Sequence, residues 1–345
     1  MSIKKLFLVF FAIAFLCSVN LVVPQHSYSQ ATITLKYANF PPATTFPCVQ
    51  MERWAKEVEK RTSGKVKVQT FPGGTLLPAK NIFDGVISGM ADIGNFAMSY
   101  QPGRFPISEA VDLPVGFANA RVASLVLFDL IEKYNAKEFD KVKILTLFTC
   151  PPSNLMTSKP VKSLKDLKGM EIRVAGTSVD VLKNLGGSPI AMPQSDTPEA
   201  LQKGVVKGNF SSMEVLKDFN YAAYTPYVTL VNLQVVSFAV VMNKDKWNTL
   251  PADVKKIFDD MRREQAEWTG AYVDNNVKDA LVWSKQKYKD FQVFELPKSD
   301  YAEIPKLMQP IINAYVKKTN ALGLPGDQIV KDINSLKAKY EKVYK

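Results

Sequence analysis

Histidine is almost absent from this sequence: His26 is the one histidine in 345 residues, and there are only three cysteines. Histidine is the side chain that most often serves as a general base or metal ligand near neutral pH, so where it sits matters. Lys4 and Lys5 precede an apolar run from Leu6 to Leu16, and a polar stretch through His26 and Ser27 follows. That layout is a secretory leader. The run is about half the ~20 residues that cross a bilayer as a helix, which argues against a permanent anchor. Small residues place cleavage after Ser29, with a second option at Ala31. Phe15 and Leu16 stand before Cys17, where a lipidation site has small residues, so Cys17 is not read as a lipid anchor. The expected leader, residues 1–29, carries His26 away with it. Ser-His and Cys-His nucleophiles and histidine-based zinc sites are thereby excluded from the mature chain. The G-x-S-x-G elbow, Walker-type loops and the dinucleotide glycine fingerprint are missing too. No catalytic residue, metal site or cofactor is expected.

The charge is +11, and removing Lys4 and Lys5 with no acidic residue leaves +9. Lysines alternate with acids, as between Glu52 and Lys60, without a sustained basic cluster. This describes solvated helix faces rather than a nucleic-acid surface, and a mild positive field suits an anionic ligand. The leader's removal leaves two cysteines, Cys48 and Cys150. Export permits a disulfide between them; two small buried thiols are the alternative, and sequence does not supply the separation that decides.

Some 315 mature residues exceed what one core organises, so two lobes are expected. Strand-like ITLKYANF (33–40) leads through Pro41, Pro42 and Pro47 into a helix with Met51, Trp54, Ala55 and Val58 on one face, which ends at Ser63 and Gly64. A strand at 66–71, an amphipathic segment with Ile82, Phe83, Val86 and Ile87, a strand at 92–97, a helix at 120–134 and a strand at 141–148 continue the alternation. The pattern is an α/β fold with mostly parallel sheets. After Pro151 and Pro152 it restarts, with a cap at Ser163, the strand EIRVAG, a helix start at Asp196-Thr197-Pro198-Glu199, and strands at 228–234 and 237–243. From Pro251 to Asp290 helical spacing persists across Gly270. A rod of roughly 60 Å would span both lobes; two helices broken at Gly270 are the alternative. Two further helices finish the chain, the last from about Asp327. The expected division is residues 30–154 with 243–270 as one lobe and 155–242 with 271–345 as the other.

Residues 160–174, PVKSLKDLKGMEIRV, closely resemble the Pro-x-K-x-x-x-D-L-K-G-x-x-I-R-V block of the substrate-binding proteins of tripartite ATP-independent periplasmic (TRAP) transporters. TSGKVKV, FPGGTLL, GVISGMADIGNF, VDLPVGF, ALQKGVVKG and AVVMNKDKWNTLP follow in family order over nearly the whole mature chain. The resemblance implies a periplasmic, two-lobed Venus-flytrap receptor with a long helix across both lobes. It binds a small organic acid and hands it to a sodium-driven permease.

Arg173 matches the family's carboxylate-binding arginine. By residue type alone an arginine is more often ion-paired or exposed, but a guanidinium on an inner strand offers a charged fork that fits a carboxylate. Many relatives carry a second arginine before the conserved proline, where this chain reads Cys150-Pro151-Pro152-Ser153-Asn154. The family's ligand-contacting asparagine falls at Ser211, within Asn209-Phe210-Ser211. Apolar or small candidates take the remaining places: Phe46 and Cys48 in the first β/α loop, Phe96 near a strand end, Phe148 and Cys150 at a lobe crossover, Phe210 beside Ser211, and Phe238 ahead of the return crossover. The expected ligand is therefore an apolar or aromatic monocarboxylate or a 2-oxo acid, bound by a monomer. The rivals are a secreted histidine-free enzyme using lysine or acids such as Asp92, Glu109, Asp112 or Glu171, and a sensor module read by a receptor kinase.

Overall fold

The computed structural model describes residues 32–344. The leader, with Cys17, His26 and both cleavage positions, lies outside them. The alternating apolar and amphipathic stretches form, in chain order, β1 (Ile33–Asn39), α1 (Phe46–Arg61), β2 (Val66–Phe71), α2 (Ile82–Ile87), β3 (Ile93–Ala97), α3 (Ala120–Tyr134) and β4 (Val142–Thr149). Next come β5 (Asn154–Thr157), β6 (Glu171–Val174), α4 (Val179–Asn184), β7 (Ser188–Ala191), α5 (Thr197–Gln202), β8 (Gly208–Ser211), α6 (Val215–Asp218) and β9 (Tyr227–Leu230). The chain ends with β10 (Ser237–Asn243), α7 (Lys244–Thr249), α8 (Ala252–Lys287), β11 (Gln292–Glu295), α9 (Lys298–Ala321) and α10 (Gly326–Glu341).

Two sheets result, in the orders β2-β1-β3-β10-β4 and β11-β9-β5-β8-β6-β7. Each is mostly parallel, with one strand running the other way: β10 opposes β3 and β4, and β5 opposes β8 and β9. These two strands are the ones delivered by a crossover from the other half. The crossovers pair side by side, Cys150 N–H donating to Val236 O (3.0 Å) and Ser153 N–H to Gln234 O (2.6 Å).

Two segments sit elsewhere than the sequence division places them. Strand β10 lies inside the first sheet, between β3 and β4, because all seven of its residues are buried and only a central position covers both faces. Helix α10 turns Ile329, Ile333 and Tyr340 into the first lobe's core, where they join the cluster containing α3.

Helix α8 is continuous over 36 residues, roughly 54 Å at 1.5 Å per residue, with no break at Gly270. Phe258, Met261 and Val273 enter the first lobe's core, while Val277, Leu281 and Trp283 pack on a second-lobe cluster. Arg53 and Arg61 of α1 both bind Glu264, and Arg262 binds Glu132 of α3. Gly270 admits the N-terminus of α3: a Cβ there would lie 2.5 Å from Arg121 Cα. One turn on, the Asp274 carboxylate accepts from Ala120 N–H (2.8 Å) and Arg121 N–H (3.0 Å), two donors that a helix start leaves unpaired.

Gly270→Ala tests this docking. Helix propensity alone favours alanine by ~1 kcal/mol, but the overpacked contact reverses the sign, and urea denaturation is expected to show a net loss of about 1–2 kcal/mol. A stabilised variant would show that α3 does not depend on this approach.

Candidate functional site

Strand parity builds the site. On β6, Ile172 and Val174 enter one second-lobe cluster, so Arg173 between them projects from the opposite face. Register places Arg173 beside Asn209 on β8. Arg173 is 3 % exposed. Its Nε and Nη2 donate to Met192 O (3.0 and 2.8 Å), and Nη1 donates to Asn209 Oδ1 (3.3 Å). All these acceptors are neutral. Among the described residues no carboxylate oxygen comes within 4.0 Å of it, although fifteen other ion pairs form. Burying a cation without a counter-ion is costly, which sets Arg173 apart from the surface arginines of α1 and α8.

Arg173 lines a cleft between the sheets. The first-lobe wall is aromatic. Phe40 stacks on Phe238 (6.4 Å between centroids), Phe46 meets Phe238 edge-on (5.8 Å), and Tyr100 packs on Phe40 (5.5 Å). The second-lobe wall is polar, with Gln194, Ser211, Ser212, Glu214 and Asp218 around Arg173.

The candidate residues separate into three groups. Arg173, Ser211, Phe46, Cys150 and Phe238 line the cleft, and Asn209 reaches it through Arg173. Phe148 stands behind the wall, stacked on Phe238 at 5.3 Å and fully buried. Cys48, Phe96 and Phe210 do not line it. Phe96 packs among Phe83 and Phe105, and Phe210 lies one residue out of phase with Ser211, so it faces the second-lobe core. Phe46 and Cys48 belong to the first turn of α1 rather than to a loop, and Phe238 follows the return crossover rather than preceding it.

The disulfide is not formed. Cys48 donates to Pro41 O and Cys150 accepts from Val236 N–H, both thiols free and buried, and burial pushes Cys48 up to about 12. Sequence reading missed Gln194, Ser212, Glu214 and Asp218. Ser212, Glu214 and Asp218 fall just after β8 and Gln194 just ahead of α5, positions where polar residues are ordinarily solvated.

Hydrogen bonds also join the two lobes. Gln194 N–H donates to the Tyr100 hydroxyl (2.9 Å), Phe46 N–H at the start of α1 donates to Asp218 Oδ2 (3.3 Å), and Thr177 Oγ1 donates to Asp112 Oδ2 (3.1 Å). At Gly176 the backbones nearly touch: a Cβ would lie 2.3 Å from Ser99 O.

The profile described as bacterial extracellular solute-binding protein, family 7, matches residues 38–319. The chain belongs to that family. It is a TRAP-type periplasmic solute-binding protein, and its solved relatives have this fold. One from Desulfovibrio salexigens is 52% identical, with a TM-score of 0.82 over 91% of this chain and 98% of that one. It is an open complex with the C-terminus of a symmetry mate in its ligand site. A marine metagenome protein described as specific for aromatic acid ligands, crystallised with 3-hydroxybenzoate, is 28% identical at a TM-score of 0.85, covering 90% and 99%. A Rhodoferax ferrireducens protein with copurified benzoate is 25% identical at 0.86, covering 91% and 100%. The family implies a small organic acid as ligand and a TRAP membrane permease as partner, and its members are receptors rather than enzymes.

Buried acids give this solute-binding protein a pH signature. Burial pushes Glu214 up to about 8, Asp112 to about 7 and Asp218 to about 6, despite hydrogen bonds from Ser212, Ser237 and Asn276 that hold them lower. With folded-state values above those of the unfolded chain, the folded state holds more protons across this interval, so stability falls as pH rises through it. A higher melting temperature at about pH 5 than at about pH 8.5 is expected, with the difference reduced in Glu214→Gln. Melting temperatures that rise between those two values would contradict it.

Proposed function

We propose that this protein captures a monocarboxylate with an aromatic or other apolar body, or a 2-oxo acid, and presents it to a TRAP-type permease. The observation that carries this reading is Arg173: a buried guanidinium whose partners are all neutral, facing a cleft with an aromatic wall on its other side. A carboxylate supplies the missing charge in bidentate geometry, and the rings of Phe40, Phe46 and Phe238 take the apolar body. A dicarboxylate fits poorly. Arg173 is the one basic side chain among the residues lining the cleft, and the Asp218 carboxylate would repel a second anionic group. The ligands of the marine metagenome and Rhodoferax relatives, 3-hydroxybenzoate and benzoate, agree in chemical class.

Capture works by closure. The paired crossovers at Cys150–Ser153 and Gln234–Val236 act as the hinge, and the contacts from Tyr100, Phe46 and Thr177 form only when the lobes meet. A ligand that touches both walls favours that state, and the permease reads it. The apolar run at Leu6–Leu16 serves as the export signal.

Two variants test the reading. Arg173→Ala removes the charge partner and is expected to weaken binding of the best acid in a thermal-shift panel by about thirtyfold to a few thousandfold, measured by calorimetry. An unchanged dissociation constant would take Arg173 out of the site. A panel in which succinate or sialic acid stabilises the protein, and aryl or branched-chain acids do not, would replace the ligand class. Gly176→Ala sets a methyl group against Ser99 O across the cleft. It is expected to lower affinity about tenfold or more, while the unliganded melting temperature stays within about 2 °C, because only the closed population falls. Full affinity in that variant would show that closure does not bring these backbones together.

A further inference from the structure

Besides Arg173, the cleft holds polar atoms that the protein itself leaves without a partner. Glu214 is 2 % exposed; its Oε1 accepts from Ser212 Oγ at 2.6 Å, and its Oε2 has no hydrogen-bond partner among the described residues. Gln194, 8 % exposed, has neither amide atom of its side chain bonded. Asp218 differs, since Phe46 N–H and Asn276 Nδ2 both donate to it. The guanidinium of Arg173 does not reach Glu214, as no ion pair joins them, so one cleft presents two separate charged or polar anchors. Buried polar groups ordinarily find partners, and an unmet one costs about 1–3 kcal/mol.

We propose that Glu214, with Gln194 also in the lining, is a specificity-determining residue that hydrogen-bonds a hydroxyl group of the ligand, so that the receptor selects hydroxylated monoacids over their unsubstituted parents. The assignment rests on the carboxylate-receptor reading above. A hydroxyl is the group that fits, because it donates to an ionised carboxylate and accepts from a protonated one. Burial pushes Glu214 up to about 8, so both forms are accessible near neutrality. A second carboxylate cannot donate, and it meets Asp218 close by in the lining. A site built to bond a hydroxyl also discriminates strongly against the analogue that lacks it, since the buried acceptor is then left unpaired.

Calorimetric titration of the leaderless protein with benzoate, the three hydroxybenzoate isomers and isophthalate tests this at neutral pH. At least one hydroxybenzoate is expected to bind about ten times more tightly than benzoate, with isophthalate weaker than either. In Glu214→Met, of similar volume and without the acceptor, the ratio of hydroxybenzoate to benzoate affinity is expected to fall below about threefold. Glu214→Gln, which keeps hydrogen-bonding atoms in place, is expected to retain part of it. A wild type indifferent to the hydroxyl, isophthalate binding as tightly as the best isomer, or an advantage undiminished in Glu214→Met overturns the role of Glu214. Those outcomes leave the carboxylate reading intact provided Arg173→Ala still weakens every acid. Absence of binding by the whole set, or affinities unmoved in Arg173→Ala, overturns that reading and this proposal together.

Discussion

A buried positive charge without a negative partner organises this molecule. Arg173 is held by backbone and amide oxygens of Met192 and Asn209, which fix the guanidinium in place and orient it without cancelling its charge. Desolvating such a group costs several kcal/mol that neutral acceptors offset only in part. The fold accepts the cost at the end of an inner strand, where the two sheets face each other. On the proposed reading an anion from outside completes the arrangement, with flat rings opposite and a few polar atoms with bonds still to make.

The proposed capture adds a second constraint, that the site must open. The halves are joined by two short crossovers that pair with each other and by α8, which contributes to the cores of both. Two glycines answer to opposite demands of this design. Gly270 permits a permanent approach, α3 seated on α8, and is closed over by Asp274. Gly176 permits a conditional one, a backbone of the second lobe meeting Ser99 of the first. Neither has a positive φ, so close packing rather than backbone freedom is what each supplies.

Much of this was legible in the residues. The β/α alternation, the two lobes and the continuous long helix follow from hydrophobic period and length, and the ordered motifs name the family. Arg173 was found through the block at Pro160–Val174. Parity was readable as well, since Ile172-Arg173-Val174 and Phe210-Ser211 alternate in type, and applying it to β8 would have removed Phe210 from the candidates. The acids were not legible. Glu214 and Asp218 follow β8 at the start and end of the short helix α6, where an acidic residue is ordinarily solvated, and nothing local says that the other lobe will cover them.

The sequence by itself determined the fold class and the family, left no histidine among the described residues, and singled out the arginine that the structure buries against the cleft. These depend on local pattern and on residue inventory. The tertiary structure decided which aromatic residues face the cleft, that Cys48 and Cys150 stay apart as thiols, that β10 and α10 belong to the first lobe, and that two acids share the cavity with Arg173. Each of those outcomes is set by segments far apart in the chain coming together, and period and composition carry no record of such distances.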